Sequence, residues 1–255
     1  MDLRERPPSG TPDPGERHPW EQARATFVLE LLRGAVAPGE RVLDVGAGDA
    51  WLATRLHEEL GARVSCWDPH YTDEDLRRLG AMGLEPTQAP PAGPFALALL
   101  GDVLEHAEDD AALLADAVAR LRPGGRVLVT VPAWPALFSS HDRALHHHRR
   151  YTPASLRARL DAAGLVIDQC GGLFHGLLMP RALQVLAERL GVRPSPAGVG
   201  RWRGGPRLTR ALVTLLYAEQ RLSRAAALLD VDVPGLSAWA LCTRPLGELW
   251  QSGRP

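Results

Sequence analysis

Between residues 41 and 169 the chain alternates short apolar runs with stretches of helical period, and few folds accept that pattern. Arg41–Val45, Arg63–Trp67, Phe95–Leu100, Arg126–Val131 and Leu165–Gln169 each read as a buried strand. A fainter strand falls near Glu85–Gln88. Asp49–Leu60, Asp73–Leu79, Asp109–Leu121 and Thr152–Ala163 supply the helices between them, closed by turn residues such as Gly61, Arg122-Pro123-Gly124-Gly125 and Gly164. Strands separated by helices of this length make βαβ units, hence a mostly parallel sheet covered on both faces. A further helix, Trp20–Val36, precedes the first strand. Residues 1–17, rich in Pro, Gly, Arg and Glu, read as a disordered tail. After Phe174 the pattern changes to two long apolar-rich helices, near 177–190 and 208–229, and a last strand, Leu236–Cys242. That helical pair is too small for its own core. It is expected to be an insertion, 175–232, within one unit spanning 18–255.

Charge narrows the partners. The 29 basic and 30 acidic residues leave a formal charge of -1, which excludes a basic nucleic-acid footprint over the whole protein, so no nucleic-acid partner is expected. All the basic residues are Arg, and Asn is absent, so neither a lysine base nor an asparagine clamp enters the chemistry. The 3 Cys form no CxxC, and no cysteine zinc site or disulfide framework is expected; a reducing, cytoplasmic setting fits. The N-terminus has no apolar leader, and no run of 18 apolar residues suggests a span.

The first strand runs into Val42-Leu43-Asp44-Val45-Gly46-Ala47-Gly48-Asp49-Ala50-Trp51. A glycine turn between strand and helix lets a ligand approach the backbone. A dinucleotide fingerprint needs a third small residue where this chain has Trp51, and Asp44 would repel a pyrophosphate while favouring a cation. Asp68 ends the second strand about 20 residues after the glycines, the spacing at which a carboxylate meets ribose hydroxyls. The ligand implied has a ribose, a positive charge and no phosphate demand. S-adenosylmethionine has all three.

The segments VLDVGAGDA, CWDPH, PFALALLGDVLEHAEDD and LRPGGRVLVTVPA, in this order, resemble the class I S-adenosylmethionine-dependent methyltransferases, and the likeness runs from about Trp20 to Leu241. It implies a Rossmann-like, doubly wound, seven-stranded, mostly parallel α/β sheet with its last strand antiparallel. S-adenosylmethionine would be the cofactor. Asp44, Gly46, Ala47 and Gly48 would form the methionine-side cradle, Asp68 and Pro69 the ribose clamp, and Leu100 and Gly101 would lie against the methionine end. Many members carry an adenine-binding acid or amide after the third strand; here only Gln88 is available. Trp20 and Arg24 match a lid over the cofactor, with Trp20 facing the sulfonium; the alternative is a helix packed on the sheet with Arg24 in solvent.

The loop after the fifth strand carries Trp134, His141, Asp142 and His146-His147-His148-Arg149-Arg150-Tyr151. Methyl transfer to a hydroxyl needs contact geometry and a base, and histidine suits neutral pH. His141, oriented by Asp142, is one candidate; His147, within the triple His, is another. Loop anchoring is the alternative role for each. Trp134, Arg149, Arg150 and Tyr151 are the candidate substrate contacts. No metal site is expected, and Glu105 and His106 are expected only to begin a turn. The function implied is methylation of a small molecule or biosynthetic intermediate, on a hydroxyl oxygen; a C- or N-methyltransferase, or a non-catalytic cofactor-binding or scaffold subunit, are the alternatives. The apolar insertion suits a substrate lid, a homodimer contact or, less readily, a membrane surface.

Overall fold

The computed structural model describes residues 17–192, 202, 204–229, 231 and 233–246. The expected tail lies outside these residues except for Arg17, which is buried and paired with Asp49 rather than loose. The elements follow in the order α1 (Pro19–Leu32), β1 (Arg41–Val45), α2 (Trp51–Leu60), β2 (Arg63–Trp67), α3 (Asp73–Ala81), β3 (Glu85–Thr87), β4 (Phe95–Gly101), α4 (Asp110–Ala119), β5 (Leu121–Pro132), α5 (Ser140–Ala144), α6 (Pro153–Ala162), β6 (Val166–Leu173), α7 (His175–Arg189), α8 (Pro206–Ala227) and β7 (Ser237–Thr243).

The seven strands form one sheet in the order β3-β2-β1-β4-β5-β7-β6. β1 pairs in parallel with both β2 and β4, while β7 runs antiparallel to β5 and β6. Strand order therefore reverses between β1 and β4, and such a reversal opens a crevice at the carboxyl ends of the strands. The period of two along each strand divides the core. Val42, Leu97 and Leu99 point to a cluster with Phe27, Leu56, Leu79 and Leu216 of α1, α2, α3 and α8. Leu43, Ala98 and Leu100 point the other way, to Leu114, Leu156 and Leu160 of α4 and α6. Both faces are thereby sealed, as a parallel sheet requires.

Several boundaries differ from the sequence expectation, α1 stopping at Leu32 and β6 running on to Leu173 among them, and two have a clear cause. The helix after β1 begins at Trp51, not Asp49, because Gly48 (φ 57°) and Ala50 (φ 60°) hold the left-handed region. β5 begins at Leu121, because the Pro-Gly-Gly segment is absorbed into a register irregularity against β4. α7 and α8 lie between β6 and β7, as expected of the insertion. α8 packs against α1 and β6. No helix among the described residues is long and apolar enough to cross a membrane.

Candidate active site

A cleft of about 530 Å³ opens over the carboxyl ends of the central strands. Its size lies within the range of small-molecule sites, ~300–1,000 Å³. Trp20, Arg24, Gly46, Asp68, Pro69, Gly101, His141, His147 and Arg150, nine of the residues singled out in the sequence, line it together.

The glycine turn is built for close approach. Gly46 has φ 63°, and a Cβ there would stand 2.5 Å from Val103 Cγ2, so no other residue fits without displacing the turn after β4. Asp68 is 5% exposed and accepts the Gly48 N–H (3.1 Å) and the His70 N–H (2.9 Å), which fixes its carboxylate at the cleft floor. Asp44 lies buried beside it. Burial, helped by the charges of Asp68 and Asp49, pushes its carboxyl up to about 7. Asp49 itself accepts the Trp51 N–H (3.2 Å) at the start of α2. It fills with a carboxylate the position where a helix N-terminus would otherwise take a phosphate. The donor set fits S-adenosylmethionine: carboxylates for a ribose and a cation, a glycine cradle, and no free phosphate site.

Ala47 and Gly48 shape the turn through their backbones: the Ala47 N–H donates to Trp67 O, and neither residue lines the cleft. Leu100 departs from expectation. Its side chain is fully buried on the α4 side of the sheet, and Gly101 and Asp102 face the cleft instead. Gln88 also lies off the cleft lining, donating from Nε2 to Tyr71 O (2.5 Å). Arg24 is not a solvent residue. It pairs with Asp102, its guanidinium lies 5.1 Å from the Trp20 ring centroid, and burial lowers its pKa. Trp20 therefore offers one ring face to Arg24.

The distal half of the cleft is organised by one carboxylate. Asp142 is 0% exposed and does not line the cleft. It takes Arg150 Nε (2.7 Å), His147 Nδ1 (3.1 Å) and Arg181 (3.3 Å), and accepts the Ser139 N–H (3.0 Å). Burial alone would raise its pKa; the hydrogen bonds and charges of His147 and Arg150 outweigh it and hold the carboxyl well below the usual range. The expected orienting partnership is thus with His147, not His141. With Nδ1 engaged by a carboxylate, His147 keeps Nε2 as its basic nitrogen. His141 lines the cleft too, its pKa lowered by burial and by the nearby Arg181.

Three expected substrate contacts lie elsewhere. Trp134 donates from Nε1 to Gly235 O (2.7 Å) and lines a separate pocket of about 100 Å³ with Cys170 and Gly171. The Tyr151 hydroxyl donates to Asp110 (2.7 Å) and the ring is buried. Arg149 pairs with the same Asp110 (3.0 Å) and with Glu108 O (2.6 Å). Tyr151 and Arg149 fasten the loop to the start of α4, and Trp134 ties it to the turn before β7.

Three residues escaped the sequence reading. Asp102, at φ 54° directly after β4, holds Arg24 and the Thr130 hydroxyl; its signal was a polar residue at the switch-point strand end. Arg181, the cation interrupting apolar α7, comes from the insertion to reach Asp142. Glu105 does more than begin a turn. Its carbonyl receives the His148 N–H (2.8 Å), but its carboxyl, 1% exposed, faces the cleft with neither oxygen hydrogen-bonded to another residue. Burial pushes it up to about 8. One ligand atom each from Glu105, His106 and His147 lie within 4.8 Å of one another, so the grouping has the chemistry of a divalent-cation site where none was expected.

Comparison with known proteins agrees with this fold. A family model described as a methyltransferase domain matches residues 18–169. The ubiquinone biosynthesis O-methyltransferase of Xanthomonas axonopodis pv. citri (strain 306) is 28% identical over 172 residues, covering 58% of this chain and 72% of that protein. The corresponding enzyme of Aeromonas salmonicida (strain A449) is 27% identical over 166 residues, 55% of this chain and 68% of that one. Among solved structures, geranyl diphosphate C-methyltransferase from Streptomyces coelicolor A3(2) aligns with a TM-score of 0.56 at 14% identity, over 88% of this chain and 76% of that one. The cyclase SpnF aligns with a TM-score of 0.55 at 18% identity, over 92% and 85%. At these identities the structural likeness is one of fold, which different reactions share.

Proposed function

This chain belongs to the methyltransferase domain family of class I enzymes that use S-adenosylmethionine, and we propose that it methylates a hydroxyl oxygen of a small anionic molecule. The reading is carried by one observation: His147, lining the cleft, has its Nδ1 held by the fully buried Asp142. The relatives named for O-methylation in ubiquinone biosynthesis support oxygen as the acceptor atom.

S-adenosylmethionine, when bound, would supply a methyl group on a sulfonium whose thioether departs as the leaving group. Asp68 would hold the ribose, and Gly46 would let the methionine end lie against the backbone. Asp68, and Asp44 in its ionised form, would carry the negative charge that suits a sulfonium, while the charge of Asp49 is matched by Arg17. His147 Nε2 would take the acceptor's hydroxyl proton, and Asp142 would stabilise the resulting imidazolium. His141 is the second candidate for that proton. Arg150 and Arg181 share a single carboxylate, leaving the distal wall a surplus of positive charge for a carboxylate or phenolate. Trp20, Leu113, Phe174 and Leu177 give the same cleft apolar walls. An aromatic hydroxy acid combines these demands. The three free cysteines suit a reducing compartment, and the cytoplasm is the proposed setting.

The test is methyl transfer to a panel of aromatic hydroxy acids, read as S-adenosylhomocysteine formed. His147→Ala is expected to lower kcat by about 10²–10⁴ while leaving S-adenosylhomocysteine affinity unchanged. An unaltered rate in His147→Ala with a fall in His141→Ala moves the base to His141. Unaltered rates in both variants remove a histidine base and return the acceptor to carbon or nitrogen.

A further inference from the structure

The outer face of α8 repeats with a period of seven. Leu208, Ala211, Leu215, Ala218, Leu222 and Ala225 alternate steps of three and four residues, and Leu229 continues the series beyond the helix end. All seven are exposed; the leucines are 52%, 63%, 73% and 77% open in chain order. The inner face sets Leu216 and Val213 against the core, yet most of what it buries is polar. Thr209, Gln220 and Ser223 are three of the four residues that α8 fully buries, and both amide atoms of Gln220 are without a hydrogen-bond partner. A helix that turns polar groups inward and an unbroken leucine–alanine seam outward has the pattern of a coiled-coil strand lacking its mate.

We propose that the mate is α8 of a second copy of this chain, packed antiparallel about a two-fold axis. The seam complements itself in that direction. Antiparallel seams set each leucine row against the partner's alanine row: Leu208 meets Ala225, Leu215 meets Ala218 and Leu222 meets Ala211, each pair occurring twice. Large residues then face small ones in every layer, which lets the backbones approach and the side chains interdigitate. The flanks place no like charges opposite one another, because Arg221 faces Thr214 and Glu219 faces Leu212. A 22-residue helix is ~33 Å long. A seam of that length and one helix diameter in width covers roughly 1,000 Å² over the two copies, the size of a weak, reversible interface. The chain's own remaining segments offer no substitute: residues 1–16, 193–201 and 247–255 bring Met1, Leu3, Val199, Leu249 and Trp250 as their large apolar residues, with no matching repeat.

Sedimentation velocity of the full chain from 1 to 100 µM tests this. The expected result is a concentration-dependent shift from one chain mass to two. Leu215→Arg with Leu222→Arg abolishes the shift, while circular dichroism and the thermal midpoint at 1 µM, the dilute end of the series, stay at wild-type values because both side chains are exposed. A mixture of the single variants Leu215→Cys and Ala218→Cys, mildly oxidised, gives a heterodimeric disulfide, and Ala218→Cys alone gives far less. A wild-type monomer at 100 µM overturns the proposal, as does a dimer indifferent to the double substitution. A monomer that floats with phosphatidylglycerol vesicles overturns it in favour of a lipid surface.

Discussion

Replacing Asp142 by Asn removes one charge and almost no volume from a side chain that is 0% exposed. The carboxylate is the counterion of Arg150 and Arg181, whose side chains are 5% and 10% exposed. Asn can accept from one of them and presents an amide N–H₂ to the other. Breaking a buried pair by removing one partner costs about 3–5 kcal/mol, because the charge left behind stays buried. Against a total of ~5–15 kcal/mol that is a large fraction. At about 2–4 °C per kcal/mol for a chain of this size, the thermal midpoint falls by roughly 10 °C. The effect depends on pH in a defined direction. The folded carboxyl titrates well below its unfolded value of about 3.9, so its contribution is complete above that value and is lost as pH falls toward the folded one. Urea denaturation of wild type and Asp142→Asn is therefore expected to differ by about 3–5 kcal/mol at pH 7, with a narrowing gap below pH 4. A difference under about 1 kcal/mol at pH 7, or a gap that stays constant into acid, refutes the assignment of Asp142 as the charge hub.

Gly46→Ala meets both a left-handed φ and Val103 Cγ2 at 2.5 Å, so it is expected to lose about 1–3 kcal/mol of stability and at least tenfold in S-adenosylhomocysteine affinity by calorimetry. Glu105, pushed up to about 8, keeps its proton in the folded state over a range where the unfolded chain has lost it; stability therefore declines from about pH 4.3 to 8. Glu105→Gln is expected to flatten that decline and to raise the thermal midpoint most at pH 8; an unchanged pH profile contradicts the burial argument. Tyr151→Phe deletes a hydrogen bond to a buried carboxylate and is expected to cost about 1.5–3 kcal/mol in urea denaturation while leaving the acceptor KM alone; a raised KM restores Tyr151 to the substrate site.

The architecture was legible because it is written locally. β1, β2 and β4 are short apolar runs beside helix-length segments, with β3 (Glu85-Pro86-Thr87) the faint exception, and the alternation of Val42, Leu43 and their neighbours between two cores repeats that pattern in space. Asp44 and Asp68 were legible as neighbours for the same reason: each ends a strand, and adjacent parallel strands end together. The loop after β5 was harder to read, because proximity in sequence does not say which way a side chain points. Tyr151 bridges Ala133, and its hydroxyl goes to Asp110 on α4, while Arg150, one residue earlier, turns into the cleft. Arg181 was out of reach because its partner Asp142 lies 39 residues away on another element. Asp102 and the Glu105 carboxyl share that difficulty: their roles come from burial and from Arg24 on α1, neither of which a local motif encodes.

Titration calorimetry of S-adenosylhomocysteine against wild type and Asp68→Ala bears most directly on the claim that the strand tips hold the cofactor. Two charge-assisted hydrogen bonds to ribose hydroxyls, each ~1.5–3 kcal/mol, predict a loss of at least about 100-fold in affinity, with the protein still folded. Equal affinity for the two proteins contradicts the placement of the cofactor in this cleft.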